Sequence, residues 1–323
     1  MTLLRLSPAA LSRCRFAISP LAETLGSLIA LQRPASDPWL TRWHAQHQPA
    51  YRAWLENDEV AAGLMSLVAA TKWLPDTVTP PPAGGLDTRL ADELAEVASH
   101  TDDSVRATLS DAVAASWQPQ DIGWLPSSAL APRIAAVLEE GWGRFVAPDW
   151  ARRRTVLERD IMHRAGVLAA YGWQQAVSGM TRRSAWVGQD AIRFSDQALP
   201  DRLITDEGLI FVPHTAGGGS WTCERPAQYA LVYPAHAPAA AAEVAGPDAL
   251  SALLGPGRAR VLRELALPAT SSQLAKSLGV SLGTVSAHLA VLRGAGVVAG
   301  SRAGRSVIYR LTERGEQLAT LLD

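Results

Sequence analysis

The sequence predicts a mainly α-helical chain with small β-sheets, divided into a large N-terminal domain and a small C-terminal one. Three observations lead there. Helical periodicity runs as far as Ser178, and is then replaced by short runs rich in Val, Ile, Trp, Tyr and Phe. All eleven tryptophans precede Thr222. Residues 249–323 hold nine Arg/Lys against four Asp/Glu, which leaves 21 against 27 for the rest, so the small part is basic and the large part acidic. At 323 residues the chain also exceeds one ordinary domain.

The expected order is a Trp-rich helical domain over 1–236, ending in a small antiparallel sheet and serving in sensing and dimerisation. A linker over 237–248, within the Ala- and Pro-rich AHAPAAAAEVAGPD from Ala235 to Asp248, and a basic domain over 249–323 follow. Ser19-Pro20 and Asp37-Pro38 each place a capping side chain before a proline at the first helical position, and Leu21, Leu25 and Leu28 follow the first of them at i, i+4, i+7. TVTPPPAGG is a loop. Shorter helices are expected over Leu86 to Ala98 and Asp103 to Ser116, the second with Thr101 and Asp102 as caps. Next come a helix near Ala129 to Phe145 and a long one from Pro148 to Ser178, striped by Leu157, Ile161, Ala165, Leu168 and Gly172. SAWVGQDAIRF, GLIFVPH and QYALVYP read as three or four strands.

Composition narrows the function classes. An apolar share of 48% with 19% charged residues belongs to a folded globular protein. No run of about 18 uncharged apolar residues occurs, and Arg5, Arg13 and Arg15 interrupt any signal-peptide core, so a cytoplasmic protein without a membrane partner is expected. Cys14 and Cys223 stand far apart without a CxxC, which favours reduced, buried thiols over a disulfide or zinc site.

The basic segment reads as helix, helix, turn, helix, two strands, helix. Leu253, Leu254, Val261, Leu262 and Leu265 mark the first helix, which Gly255-Pro256-Gly257 interrupts. TSSQ from Thr270 is a capping box, Gly279 a left-handed stop, and Ser281 the next cap after Val280 alone, so the two helices must cross steeply. Val285, Leu289 and Leu292 form the buried stripe of the second, leaving small and polar residues outward near its start. VVAGSR and RSVIYRL then make a hairpin, with Val307, Tyr309 and Leu311 on one face and Arg302 and Arg305 at the tip. Such a basic tip suits a phosphate or minor groove, against the plain alternative of a solvated turn.

TSSQLAKSLGVSLGTVSAHLAVLRGAGVVAGSRAGRSVIYRLT is similar to the winged helix-turn-helix of ArsR-type bacterial regulators, in its Ser-rich second helix running into His-Leu, its Leu-Arg-x-Ala-Gly junction and its Gly-containing wing before Tyr-x-Leu. The resemblance covers the last quarter of the chain. It implies a repressor binding a double-stranded DNA operator as a homodimer. The candidate DNA-contacting residues are Ser272, Gln273, Ser281, Gly283, Thr284, Ser286, His288, Arg293, Arg302 and Arg305. His288 reads equally well as a residue bonding between helices. Leu282, Gly283 and Ala287 depart from the polar or basic side chains frequent in the family, which shifts recognition toward shape and backbone contacts. SSQLAKSL lacks the Cys-x-Cys of the thiol metal sensors, and ERGEQLATLLD lacks the Asp/His pairs of the zinc sensors, so no metal and no cofactor are expected.

The start of the chain, RLSPAALSRCRFAISPLAETLGSLIAL, resembles an uncharacterised actinobacterial domain fused to such winged helices. Its residues offer little chemistry. His44 and His47, three apart, read as ordinary surface histidines. Asp160 and His163 between Arg159 and Arg164 read as an ion-paired helix face. The glycines of HTAGGGSW lie between strands, unlike a phosphate loop. No catalytic constellation stands out, so no enzyme is expected. Most tryptophans are core, and Trp39 and Trp43, four apart on one helix, are the candidate face for a small-molecule effector. The competing readings are a winged helix that packs on a protein partner, and an enzyme with a regulatory tail.

Overall fold

The computed structural model describes residues 2–33, 38–178, 180, 185–188, 190–195, 201–205, 207–217, 219–226, 228–235, 249–303 and 306–322. The expected linker, 237–248, and Arg305 lie outside them. Two compact units emerge: Met1–Pro148 with Val167–Ala235, and Asp149–Gly166 with His236–Asp323.

The first unit opens with β1 (Thr2–Leu6), α1 (Pro8–Arg13) and β2 (Arg15–Phe16), followed by α2 (Pro20–Gln32), α3 (Pro38–Asn57) and α4 (Glu59–Ala70). Then come α5 (Leu90–Ala98), α6 (Asp102–Ala114), α7 (Leu130–Phe145), α8 (Trp150–Tyr171), whose residues from Val167 onward belong here, and α9 (Trp173–Val177). Of the caps expected from the sequence, Ser19 and Thr101 are in place, and Asp37 lies outside the described residues. Ser19 Oγ accepts from Ala22 N at 2.9 Å ahead of Pro20, and Thr101 Oγ1 accepts from Ser104 N at 3.2 Å. The long helix expected to reach Ser178 instead stops before Gly172, whose φ of 80° ends α8 and starts α9. Of its expected stripe Leu157 and Ile161 are buried, whereas Ala165 is exposed and Leu168 half-buried.

Helix α2 is the hub of this unit. Leu21, Leu25 and Leu28 are buried as their spacing requires, but so are Glu23, Thr24 and Ser27 on the other sides, because α2 packs against α3, α4, α5, α7 and a strand, β6 (Leu209–His214). The polar residues are satisfied by design of sequence. The Glu23 carboxylate accepts from Thr215 N at 2.7 Å and from the Thr215 hydroxyl. The Glu93 carboxylate accepts from Leu21 N at 2.8 Å and Ser19 Oγ at 2.5 Å, closing the N-terminus of α2. Burial still pushes the Glu93 carboxyl up to about 7. Gly26 is required by neighbours: a Cβ there would stand 2.9 Å from His214 Nδ1.

Strands β3 (Ala185–Val187), β4 (Ala191–Ser195), β5 (Arg202–Ile204), β6, β7 (Trp221–Arg225) and β8 (Gln228–Pro234) join β1 and β2 in two sheets, ordered β3-β4-β1-β5 and β2-β6-β8-β7. This corrects the single antiparallel sheet expected. β1 runs parallel to β5, and β6 runs parallel to both β2 and β8, while β1–β4, β3–β4 and β7–β8 are antiparallel. The physical reason is visible in β6, buried at all six positions: a strand covered on both faces is apolar throughout and carries no alternation from which to read its partners. Leu4, Leu6, Ile192, Ile204, Phe211, Leu231 and Tyr233 fill the core of these sheets.

The second unit contains the start of α8 together with α10 (Ala249–Leu254), α11 (Pro256–Glu264), β9 (Ala269–Thr270), α12 (Ser271–Leu278), α13 (Leu282–Gly294), β10 (Val298–Ala303), β11 (Ser306–Leu311) and α14 (Glu313–Leu322). Its core is Leu250, Val261, Leu262, Leu265, Leu274, Val285, Leu289 and Leu292, with Tyr309, Leu311 and Leu318 packed against it. The short β9, not anticipated, pairs antiparallel with β11.

Arg159 is the largest fully buried side chain among the described residues. Its guanidinium pairs with the Glu264 carboxylate and donates to the carbonyls of Glu264 and, at 2.7 Å, of Leu267. The expected ion-paired helix face is present, and it is buried. Arg164 does pair with Asp160 at 3.1 Å, but both are buried, and Arg159 finds its partner 105 residues away in sequence. Two further arginines meet the end of α12: Arg152 Nε donates to Ser277 O at 3.1 Å and Arg260 Nη2 to Leu278 O at 3.0 Å.

Arg159→Ala strands the Glu264 charge and two carbonyls, and is expected to cost about 3–5 kcal/mol in urea denaturation, most of it restored by an Arg159→Met, Glu264→Leu double variant. Glu93 has a folded value above its unfolded one, so its stabilising contribution is complete below pH 4.5 and is lost as pH rises through about 7. The thermal midpoint should therefore be higher at pH 5 than at pH 8, by up to about 3 kcal/mol of stability from this group. Glu93→Gln should flatten that slope.

Candidate nucleic-acid interface

Helices α12 and α13 are placed by their ends. Thr270 Oγ1 accepts from Gln273 N at 3.2 Å while Gln273 Oε1 accepts from Thr270 N at 2.8 Å, a reciprocal capping box. Gly279 closes α12 in the left-handed region at φ 65°, and Ser281 Oγ accepts from Thr284 N at 3.1 Å to start α13. The chain turns through 116° between the two helices.

The buried side of α13 is Val285, Leu289 and Leu292. His288 lies against α11, since a Cβ on Gly257 would stand 2.6 Å from its Nε2. On the opposite side Gly283, Ala287, Ala290 and Gly294 follow one another at i, i+4, i+7 and i+11, all exposed. Among the described residues, and apart from the helix's own adjoining backbone, nothing lies within 4 Å of a Cβ built on Gly294, and Ser281 Oγ alone, at 3.8 Å, lies near one on Gly283. Internal packing gives neither position a reason to be glycine, and at the second and the last residue of the helix each costs at most about 1 kcal/mol relative to alanine.

The structure separates the sequence candidates. Ser272, Ser281, Gly283, Thr284, Ser286 and Arg293 are exposed. Ser281 Oγ and Thr284 Oγ1 bond each other at 2.9 Å, and the Gln273 side chain is taken up by its cap. Leu282, at the first turn of α13, keeps 50% of its surface exposed. Arg302 is exposed at the end of β10, and Arg305 is outside the described residues. β10 and β11 pair antiparallel from Val298↔Leu311 to Ala303↔Ser306. Tyr309 and Leu311 pack on the core, whereas Val307, expected beside them, is 39% exposed because the hairpin runs past the core edge. Sequence reasoning missed Arg152 and Arg260 at the α12 end; their guanidiniums repel each other, and nothing local in sequence signals that Arg152 comes there.

The effector candidates belong to the first unit. The side chain of Trp39 is outside the described residues. Trp43 is half-buried, its ring 5.2 Å from that of His47. His44 Nε2 lies 2.9 Å from Arg33 O, so the two histidines do not converge. Among the described residues no group of three or more His, Cys, Asp or Glu is placed to hold a metal. Cys14 and Cys223 are free thiols, and burial pushes Cys223 up to about 12.

Three helices, a steep turn and a two-stranded wing define the second unit as a winged helix-turn-helix. A helix-turn-helix domain family matches residues 253–300. The chain is 44% identical over 87 residues to the HTH-type transcriptional regulator NmtR of Mycobacterium tuberculosis (strain ATCC 25618 / H37Rv), a stretch covering 26% of this chain and 68% of that protein. Through this part the chain belongs to the HTH-type transcriptional regulators. No solved structure matches it. No single helix among the described residues is long and apolar enough to cross a membrane.

Gly283→Ala is expected to raise the stability of the isolated protein by about 0.5–1 kcal/mol in thermal or chemical denaturation, because the added methyl meets open space.

Proposed function

We propose that the chain is an ArsR-like, one-component transcriptional repressor of the cytoplasm that binds a double-stranded DNA operator as a homodimer. α13 enters the major groove and the wing lies along the backbone. The observation that carries this reading is the exposed line Gly283, Ala287, Ala290 and Gly294 along α13, bare beyond Cβ, in a unit whose family is helix-turn-helix regulators. A helix so stripped admits a groove edge or phosphate at close range. Ser272 and the N-terminus of α12 face one strand, Ser281, Gly283, Thr284 and Ser286 the groove, and Arg293, Arg302 and Arg305 the phosphates. Gln273 and His288 act by holding α12 and α13 in place, Gln273 through its cap and His288 through its packing on Gly257.

A single module of this size with few base contacts gains affinity and specificity by doubling, which supports the dimer. The first unit supplies dimerisation and effector sensing, with Trp39 and Trp43 on the effector face, and the protein has no enzymatic role.

The test is electrophoretic mobility shift of the full chain on DNA from upstream of its own gene, across a salt series. Binding should fall linearly in log–log form with salt, and Arg302→Ala should weaken it evenly across sequences while lowering the slope by about 1. Retention of no duplex even at low salt would overturn the reading.

A further inference from the structure

How α13 distinguishes one base pair from another follows from what its exposed surface lacks. Between Ser281 and Leu292 there is no Arg, Lys, Asn or Gln, the residue types that read guanine and adenine through paired hydrogen bonds in the major groove. The polar groups present are mostly committed. The hydroxyls of Ser281 and Thr284 bond each other at 2.9 Å, Ser281 also caps Thr284 N, and the His288 ring sits against Gly257 of α11. Ser286 is the one exposed hydroxyl in this span without such a bond among the described residues.

What remains at the start of the helix is apolar. Leu282 is half exposed in the first turn, on the same side as Ser286 one turn later, and next to the bare positions Gly283 and Ala287. An exposed leucine there has no role in the core of the unit. The apolar group that a base pair offers in the major groove is the 5-methyl of thymine. We propose that Leu282 reads thymine by packing on its 5-methyl group, with Gly283 and Ala287 letting the helix come close enough for that contact.

This rests on the regulator reading above, and the experiment separates the two. The full chain selects duplexes from a random-sequence pool, and the winning duplex is resynthesised with deoxyuridine in place of thymine, one position at a time, which deletes the methyl alone. At one or two positions in each half-site the affinity should fall roughly fourfold to tenfold, the size expected for one methyl leaving an apolar contact. Leu282→Ala should bind the thymine duplex as weakly as the wild type binds the substituted one, and should no longer respond to deoxyuridine at that position. Its circular dichroism and thermal midpoint should match wild type, because Leu282 is outside the core. Affinity unchanged within about twofold at every substituted position, or Leu282→Ala keeping the full response, overturns the proposal while leaving the regulator reading intact. Selection of no duplex at all overturns both.

Discussion

The buried pair between Arg159 and Glu264 is the constraint around which the second unit is assembled. Removing two charges from water costs several kcal/mol each, and their mutual attraction repays it only when every remaining hydrogen-bonding group is also satisfied. Arg159 meets most of that condition: its two terminal nitrogens donate to the Glu264 carboxylate and to the carbonyls of Glu264 and Leu267, and only its buried Nε has no partner among the described residues. Those carbonyls belong to the end of α11 and the turn after it, where a helix leaves its last acceptors without partners. One side chain from α8 thus closes α11 and fixes the turn that delivers Thr270 to the head of α12. Since α12 sets the crossing of α13, the placement of the outward helix rests on a residue more than a hundred positions upstream.

The first unit solves a related problem around α2. A helix buried on all sides and carrying Glu23 and Thr24 needs a partner for each, and finds them in the loop after β6 and in its own backbone, while α5 meets the Leu21 amide at its start. Glu93 completes the solution by accepting from the Leu21 amide and the Ser19 hydroxyl at the α2 N-terminus, where the helix dipole favours a carboxylate, yet its burial is deep enough that the charge is held at a cost. In both units buried ionisable groups sit at helix ends, where unpaired backbone groups are already waiting for them.

What was legible in the sequence was local. Ser19-Pro20, Thr101, the Thr270–Gln273 box, Gly279 and Ser281 act on the backbone within four residues of themselves, and each did what its neighbours implied. The winged helix was readable because its caps, glycines and apolar periods agree with one another. The strands β1 and β2, the parallel pairings and the burial of Arg159, Asp160 and Arg164 were not readable. Each depends on a partner far along the chain, and a continuous apolar strand or a charged helix face looks the same in sequence whichever partner it meets.

Glycines sharpen the distinction between residues kept for the fold and residues kept for something outside it. Gly26, Gly63 and Gly141 sit in helices at a cost in propensity, and the structure returns a reason for each: His214, the Trp124 ring and Leu28 occupy the space a Cβ would take. Gly283 and Gly294 have no such neighbour. Openness alone does not single them out, since Gly143 and Gly166 are open as well. What sets α13 apart is alignment: its two open glycines fall on one exposed line with Ala287 and Ala290, beside a leucine that the core does not use. A surface helix ordinarily fills such a line with Glu, Lys, Gln or Arg, which favour the helix and cost nothing in water. Ala287 and Ala290 keep the helix at no cost and Gly283 and Gly294 loosen its two ends, so the line gives up the charged groups that solubilise a surface rather than the helix itself, which suits a surface that comes close to α13 without obstruction.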